Sequence, residues 1–235
     1  MPLFDVPTDI ELKLLEVHAR LCELYRCPIP HFHNLEPIDE LISSLLSHRT
    51  KNADSGRAFR QLRERFPTWQ DVLDGDVTEI EKAIAPCTWP EQKAPRVQAV
   101  LRQIREKRGE LSLDFIEEME VAAARVWLEE LPGVGPKTSA ATLCFSRLHR
   151  RALPVDSHHH RVAIRLGLIP ARLAVGPSHA VLEAMLPDDW DAQQVYDNHE
   201  VLMLHGQKIC HHFNPQCGKC VLLDICPTGQ TKSHP

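Results

Sequence analysis

The chain has 235 residues, a formal net charge of −5, 43% hydrophobic and 25% charged residues, an ordinary globular composition with enough apolar surface for one large domain or two small ones. Residues 1–12 (MPLFDVPTDIEL) carry neither a basic n-region with an apolar h-region nor an Arg-rich, acid-poor stretch, and no apolar run is long enough to span a bilayer. A secretory signal, a transit peptide and a membrane span are therefore not expected; the expected location is the cytosol, or the nucleoid within it.

In chain order, the apolar spacing is helical nearly throughout. Thr8 or Asp9 can cap a helix through Tyr25, with Ile10, Leu14, Val17, Leu21 and Leu24 on one stripe. Pro37 opens a second, a third runs from Asp54 to Phe66, and Asp76 caps a short one around Ile80 and Ile84. Pro90 starts a long amphipathic helix through Ile104, and Asp114 is expected to cap the next, through Val121 and Val126 to Leu131. Further helices are expected after Gly135, Asp156, Gly176 and Pro187. Alternating runs are few and Asn-Gly hairpin dipeptides are absent, so the fold class is all-α.

The acidic balance counts mildly against a nucleic-acid partner. The basic residues nonetheless cluster, at Arg57, Arg60, Arg63 and Arg65, and again at Lys93, Arg96, Arg102, Arg105, Lys107 and Arg108. Each cluster reads equally well as a phosphate-binding face or as a solvated helix face.

Three motifs carry chemistry. Residues 131–138 read LPGVGPKT: a helix ends, a Gly133-Val134-Gly135 turn follows, and Pro136 starts a second helix. Glycines there allow positive φ and close approach of a phosphate, and the helix N-terminus meets an anion. Such a helix-hairpin-helix grips a DNA backbone without reading sequence. Lys137, at its mouth, is either a phosphate contact or an amine nucleophile activated by its surroundings. Asp156, in PVDSH, is either a plain helix cap or a carboxylate able to take a proton and to stabilise positive charge on a sugar. The run His158-His159-His160 is read as surface or interface histidines, because consecutive helical residues diverge. Finally, Cys210-x6-Cys217-x2-Cys220-x5-Cys226 suits either tetrahedral zinc or a [4Fe–4S] cube. Four further cysteines, Cys22, Cys27, Cys87 and Cys144, are scattered.

Taken together, LPGVGPKT, VDSH and the cysteine spacing resemble the endonuclease III family, and His205-Gly206 belongs to the same block. Residues 41–51 (LISSLLSHRTK) resemble the segment leading into that family's gap-filling loop, and residues 84–94 (IAPCTWPEQKA) its duplex-wedging loop. The resemblance implies a two-lobed, all-α glycosylase fold: a six-helix barrel lobe at 31–149 and a [4Fe–4S] cluster lobe at 1–30 plus 150–235. It implies catalysis by Lys137 and Asp156 meeting in one cleft; DNA contacts from Gly133, Val134, Gly135, Arg49, Trp89 and His158; and cluster ligation by Cys210, Cys217, Cys220 and Cys226. The implied activity is that of a monomeric bifunctional DNA glycosylase and abasic-site lyase in base excision repair. It would act on double-stranded DNA with a damaged base everted from the stack, oxidised pyrimidines being the usual substrates.

The departures bear on substrate choice. Arg49 stands where the family usually has Gln, Pro136 where a basic residue is common, and the wedge loop is longer and carries Trp89-Pro90. Within the superfamily, an adenine glycosylase would place a glutamate where this chain has Ser44, and a mismatch-thymine glycosylase usually lacks the lysine. A non-catalytic DNA-binding module would keep the hairpin and the cysteines but have no use for Lys137 with Asp156.

Overall fold

The computed structural model describes residues 8–233; residues 1–7 of the N-terminal stretch read above lie outside them. It contains twelve α-helices and three short 3-10 turns, with no strand among the described residues. The chain forms two compact units, one of residues 33–150 and one built from residues up to 32 together with 151 onward.

In the discontinuous unit, α1 (Asp9–Tyr25) begins at a capping box in which Thr8 and Glu11 exchange side-chain-to-backbone bonds, and it ends at Arg26 in the left-handed region (φ 66°). Leu14, Val17 and Leu21 are buried, but Ile10 and Leu24 are each 44% exposed, so the apolar stripe is one turn shorter at each end than the spacing predicts. Cys22 and Cys27 form a disulfide at the end of α1, a pairing the cytosolic reading did not anticipate. Asp156 caps α9 (Ser157–Leu166), α10 is Val175–Glu183, and α11 is Ala192–Lys208. The start of α11 is set by the Asp191–Gln194 capping box rather than by Pro187. Val162 and Leu166 of α9, Leu182 of α10 and Val201 and Leu202 of α11 join the α1 residues in one core. A last helix, α12 (Pro227–Ser233), follows the cysteine segment.

The continuous unit holds α2 (Pro37–Ser47), α3 (Asn52–Arg65), α4 (Trp69–Asp74), α5 (Val77–Ala83), α6 (Pro90–Arg108), α7 (Val121–Glu129) and α8 (Pro136–Phe145). Helix α4 was not foreseen; a Thr68–Asp71 capping box makes it. Asp114 does not cap α7. It opens a 3-10 turn (Asp114–Glu118), and a separate start at Val121 follows. Helix α8 is buried on all sides from Thr138 to Phe145 and packs on α2 and α7. Its all-round burial fixes the position of its half-buried first residues, Pro136 and Lys137.

Candidate functional site

The hairpin is built as the sequence dictates, with one difference. Gly133 has φ +77°, a conformation side chains rarely adopt, and a Cβ there would fall 2.7 Å from Cδ of Arg96. Gly135 is not left-handed: it is the extended cap of α8, with open space where a Cβ would be. Val134 is buried (6% exposed), so any DNA contact it makes is through its backbone. Lys137, the second residue of α8, is half-buried. Ser139 ties the two helices of the hairpin, its hydroxyl donating to Glu129 Oε1 at 2.6 Å.

Two loops flank this turn within the same unit. Arg49 follows α2 and Trp89 precedes α6; both are non-glycine residues with positive φ (52° and 55°). A bulky aromatic in that region is strained, and such strain persists only where surrounding structure enforces it. Lys93 is what enforces it. Its ammonium, 6% exposed, donates to Leu46 O at 2.6 Å, His48 O at 2.8 Å and Thr50 Oγ1 at 2.8 Å. Thr50 Oγ1 in turn accepts from the backbone N–H of Thr88 at 3.1 Å. The two loops are thus cross-braced, and the Arg49 guanidinium carbon stands 5.7 Å from the Trp89 ring centroid, with Trp89 45% exposed. Burial pushes the Lys93 ammonium below its usual pKa. Lys93 is therefore not a member of a solvated basic face.

His48, which the sequence reading passed over, lies beside the lysine. Its Nε2 is 2.9 Å from Oγ1 of Thr138, the residue after Lys137. Burial first, then the charges of Lys137, Lys93 and Arg96, push its pKa down to about 4, so the ring is neutral at physiological pH. Ser44 is buried and donates to Glu40 Oε1 at 2.8 Å, and His33 Nε2 stands 3.1 Å from the other Glu40 oxygen. The carboxylate nearest Ser44 on α2 is thus that of Glu40, one turn before the position a glutamate would need to occupy.

Asp156, Cys210, Cys217, Cys220, Cys226 and His158 belong to the other unit. Both cap bonds to Asp156, from the N–H groups of His158 and His159 at 2.9 and 2.7 Å, fall on Oδ1. Of the histidines read as surface or interface residues, His158 and His160 are half-buried and His159 departs from that reading. His159 is fully buried, three residues after Asp156 on the same α9 face as Val162, Ala163 and Leu166, with its ring centroid 5.7 Å from that of His199. Burial, with His199, His179 and His160 nearby, holds it well below the ordinary histidine pKa. His160 is bound to Leu173 O at 2.8 Å. His158 Nδ1 faces the Arg161 guanidinium at 3.1 Å, and its backbone presses on Gly206, where a Cβ would come within 2.8 Å of His158 Cβ. Gly206 therefore permits the close approach of α9 and α11. Burial, then Asp156 and Asp197, raise the Glu200 carboxyl from its ordinary 4.5 to about 7.

All four C-terminal cysteines line one cavity together with Arg165, Ile209 and Leu223. Asp197 lies within 4.8 Å of the Cys22 and Cys27 sulfurs, but both are tied up in the disulfide and hold no metal. N–H groups point at three sulfurs: Arg165 Nη1 at Cys210 (3.2 Å), Leu222 N at Cys220 (3.4 Å) and Gly229 N at Cys226 (3.3 Å). Two α9 arginines that the sequence reading missed hold the segment. Arg161 donates to Cys210 O and Gly206 O, and Arg165 to the carbonyls of Cys210, His211 and His212. In sequence they resemble any helix-surface arginines.

Comparison with known proteins fits this geometry. Residues 42–185 match the family model described as HhH-GPD superfamily base excision DNA repair protein. Endonuclease III of Thermotoga maritima is 31% identical over 192 residues, 81% of this chain and 83% of that protein. Among solved structures, a trapped endonuclease III–DNA covalent intermediate superposes with a TM-score of 0.80 at 23% identity, covering 95% of this chain and 99% of the other. A thermostable thymine-DNA glycosylase superposes at 0.76 and 21% identity, over 95% of this chain and all of the other. No helix among the described residues is long and apolar enough to cross a membrane.

Proposed function

Because the chain belongs to the endonuclease III family, within the HhH-GPD superfamily of base excision DNA repair glycosylases, we propose that it removes oxidised pyrimidines from double-stranded DNA and cleaves the resulting abasic site. The observation that carries this is a lysine on the first turn of the hairpin's second helix, Lys137, held by a helix that is buried along the rest of its length. The fold alone would serve a glycosylase lacking that lysine equally well; the amine is what adds a lyase.

In this reading the Lys137 amine attacks C1′ of the everted nucleotide. The N–C1′ bond to lysine forms as the glycosidic bond breaks, and the base leaves with the electron pair and takes up a proton. The sugar ring opens to a Schiff base, a C2′ proton is withdrawn, and the 3′ phosphate departs by β-elimination. Asp156 serves as the carboxylate that accepts the proton from Lys137 and stabilises positive charge on the sugar. Its use of Oδ1 alone as the helix cap supports this role, because Oδ2 is left for the reaction. Gly133, Val134 and Gly135 offer backbone to the phosphates, Arg49 and Trp89 enter the gap left by the everted base, and His158 borders the DNA path. Arg49 in place of the usual glutamine brings charge to the orphan base.

The donor set Cys210, Cys217, Cys220 and Cys226, around one cavity with N–H groups directed at three of the sulfurs, fits a [4Fe–4S] cluster, the group that the family resemblance implies. The cluster would supply structural ligation to a segment with little core of its own. Borohydride reduction during turnover on duplex DNA containing an oxidised pyrimidine tests the whole reading. A covalent protein–DNA adduct is expected in the parent, none in Lys137→Ala, and normal DNA binding with lost base release in Asp156→Asn. Cleavage without a trapped adduct would reject the lysine mechanism.

A further inference from the structure

The mechanism above leaves unused a polar side chain that the fold brings to the lysine. His48 ends α2, and its backbone carbonyl is held by Lys93. Its ring is fixed at one nitrogen only, Nε2, by the buried hydroxyl of Thr138 at 2.9 Å. The other nitrogen, Nδ1, has no partner among the described residues and belongs to a half-buried, not a sealed, side chain.

Proximity decides what Nδ1 can meet. If the amine of residue 137 attacks C1′, the departing base is one bond from that carbon and must stand within a few ångströms of the amine. His48, close enough to Lys137 for the two side chains to interact electrostatically, is then within reach of the base. We propose that His48 is a base-recognition residue, its Nδ1 hydrogen-bonding an oxo or imino group on the edge of the everted pyrimidine. The inference rests on the reading of Lys137 as nucleophile. A neutral ring suits the task. With Lys137, Lys93 and Arg96 around it, a second cation would repel the amine's own charge, and burial adds to the preference for the uncharged form. A neutral imidazole also carries one donor and one acceptor, and because the Thr138 hydroxyl can complement either tautomer, Nδ1 can offer a donor to an oxo group or an acceptor to an imino N–H. A site built to hydrogen-bond a substrate group discriminates strongly against bases lacking it, because its own polar atom is then left buried and unpaired.

Two near-isosteres separate recognition from mere positioning. The amide of asparagine reaches the place of Nδ1, that of glutamine the place of Nε2. His48→Gln keeps the Thr138 link and loses the group offered to the base; His48→Asn does the reverse. The assay compares single-turnover base release from an oxidised pyrimidine with strand scission at a preformed abasic site, where no base is present. We expect the ratio of the two rates to fall at least tenfold in His48→Gln and to stay within about threefold of the parent in His48→Asn. The opposite pattern, or equal loss of both rates in both variants, would overturn the recognition role and leave His48 as a positioner of α8. Lys137→Ala in parallel keeps the two readings apart. If that variant still forms the borohydride adduct, the lysine reading has failed. If it does not, and the His48 ratio is unmoved, the His48 inference alone has failed.

Discussion

Lys93 offers the sharpest test of how the two DNA-facing loops are held. Replacing it with methionine keeps the aliphatic stem and removes the ammonium, taking a charged donor from Leu46 O, His48 O and Thr50 Oγ1 and leaving them only the weaker Cys87 thiol, the Thr50 hydroxyl and the Thr88 N–H. An unsatisfied buried acceptor costs about 1–3 kcal/mol, and the methionine recovers part of this because it no longer buries a charge. The net loss expected is about 2–4 kcal/mol. A protein of this size loses roughly 2–4 °C in Tm per kcal/mol, so the melting temperature should fall by roughly 5–15 °C. Thermal denaturation at constant pH measures that fall, and urea denaturation the free energy. Lys107→Met is the control. Lys107 comes from the same basic run but makes an exposed pair with Glu130, and its loss should stay within about 0.5 kcal/mol. Lys93→Met matching that control would mean that the ammonium braces nothing, and that the solvated-face reading of the cluster was right.

The two hairpin glycines should separate. Gly133→Ala, at positive φ and against Arg96, should destabilise by about 1–3 kcal/mol, while Gly135→Ala, in extended backbone with open space, should leave stability within about 0.5 kcal/mol; equal chemical-denaturation midpoints for the two would refute the turn geometry. Glu200 should impose a pH dependence: the folded state holds its proton up to about 7 and the unfolded state only to 4.5, so stability is lost as pH rises through that window, by about 3 kcal/mol at most. Glu200→Gln should remove that fall, and since buried His159 acts in the opposite direction below pH 6.5, the measurement is the difference between parent and variant from pH 4.5 to 7.5; a difference that does not change across this range would place the Glu200 carboxyl in an ordinary environment.

What the sequence determined by itself is local. Caps such as Thr8, Asp76 and Asp156 act within three residues of the turn they close, so their chemistry is visible in the order of letters. The same holds for the Gly-Val-Gly turn before Lys137 and for the cysteine spacing. The local misses are of the same kind. Thr68 and Asp71 carry a capping box that went unread, and the helix expected to run through Val121 breaks at Met119 because Asp114 opens a 3-10 turn instead of capping it. What only the tertiary structure decided is which polar groups lose water. Lys93 and Lys107 stand on one helix in one basic run, yet one is caged by carbonyls more than forty positions away and the other pairs in solvent. His48 meets Thr138 across 90 residues, Arg165 reaches Cys210 across 45, and His159 is buried while its neighbour Ser157 is exposed. Burial and partner choice depend on which helix faces meet, and periodicity gives the face without naming the element that covers it.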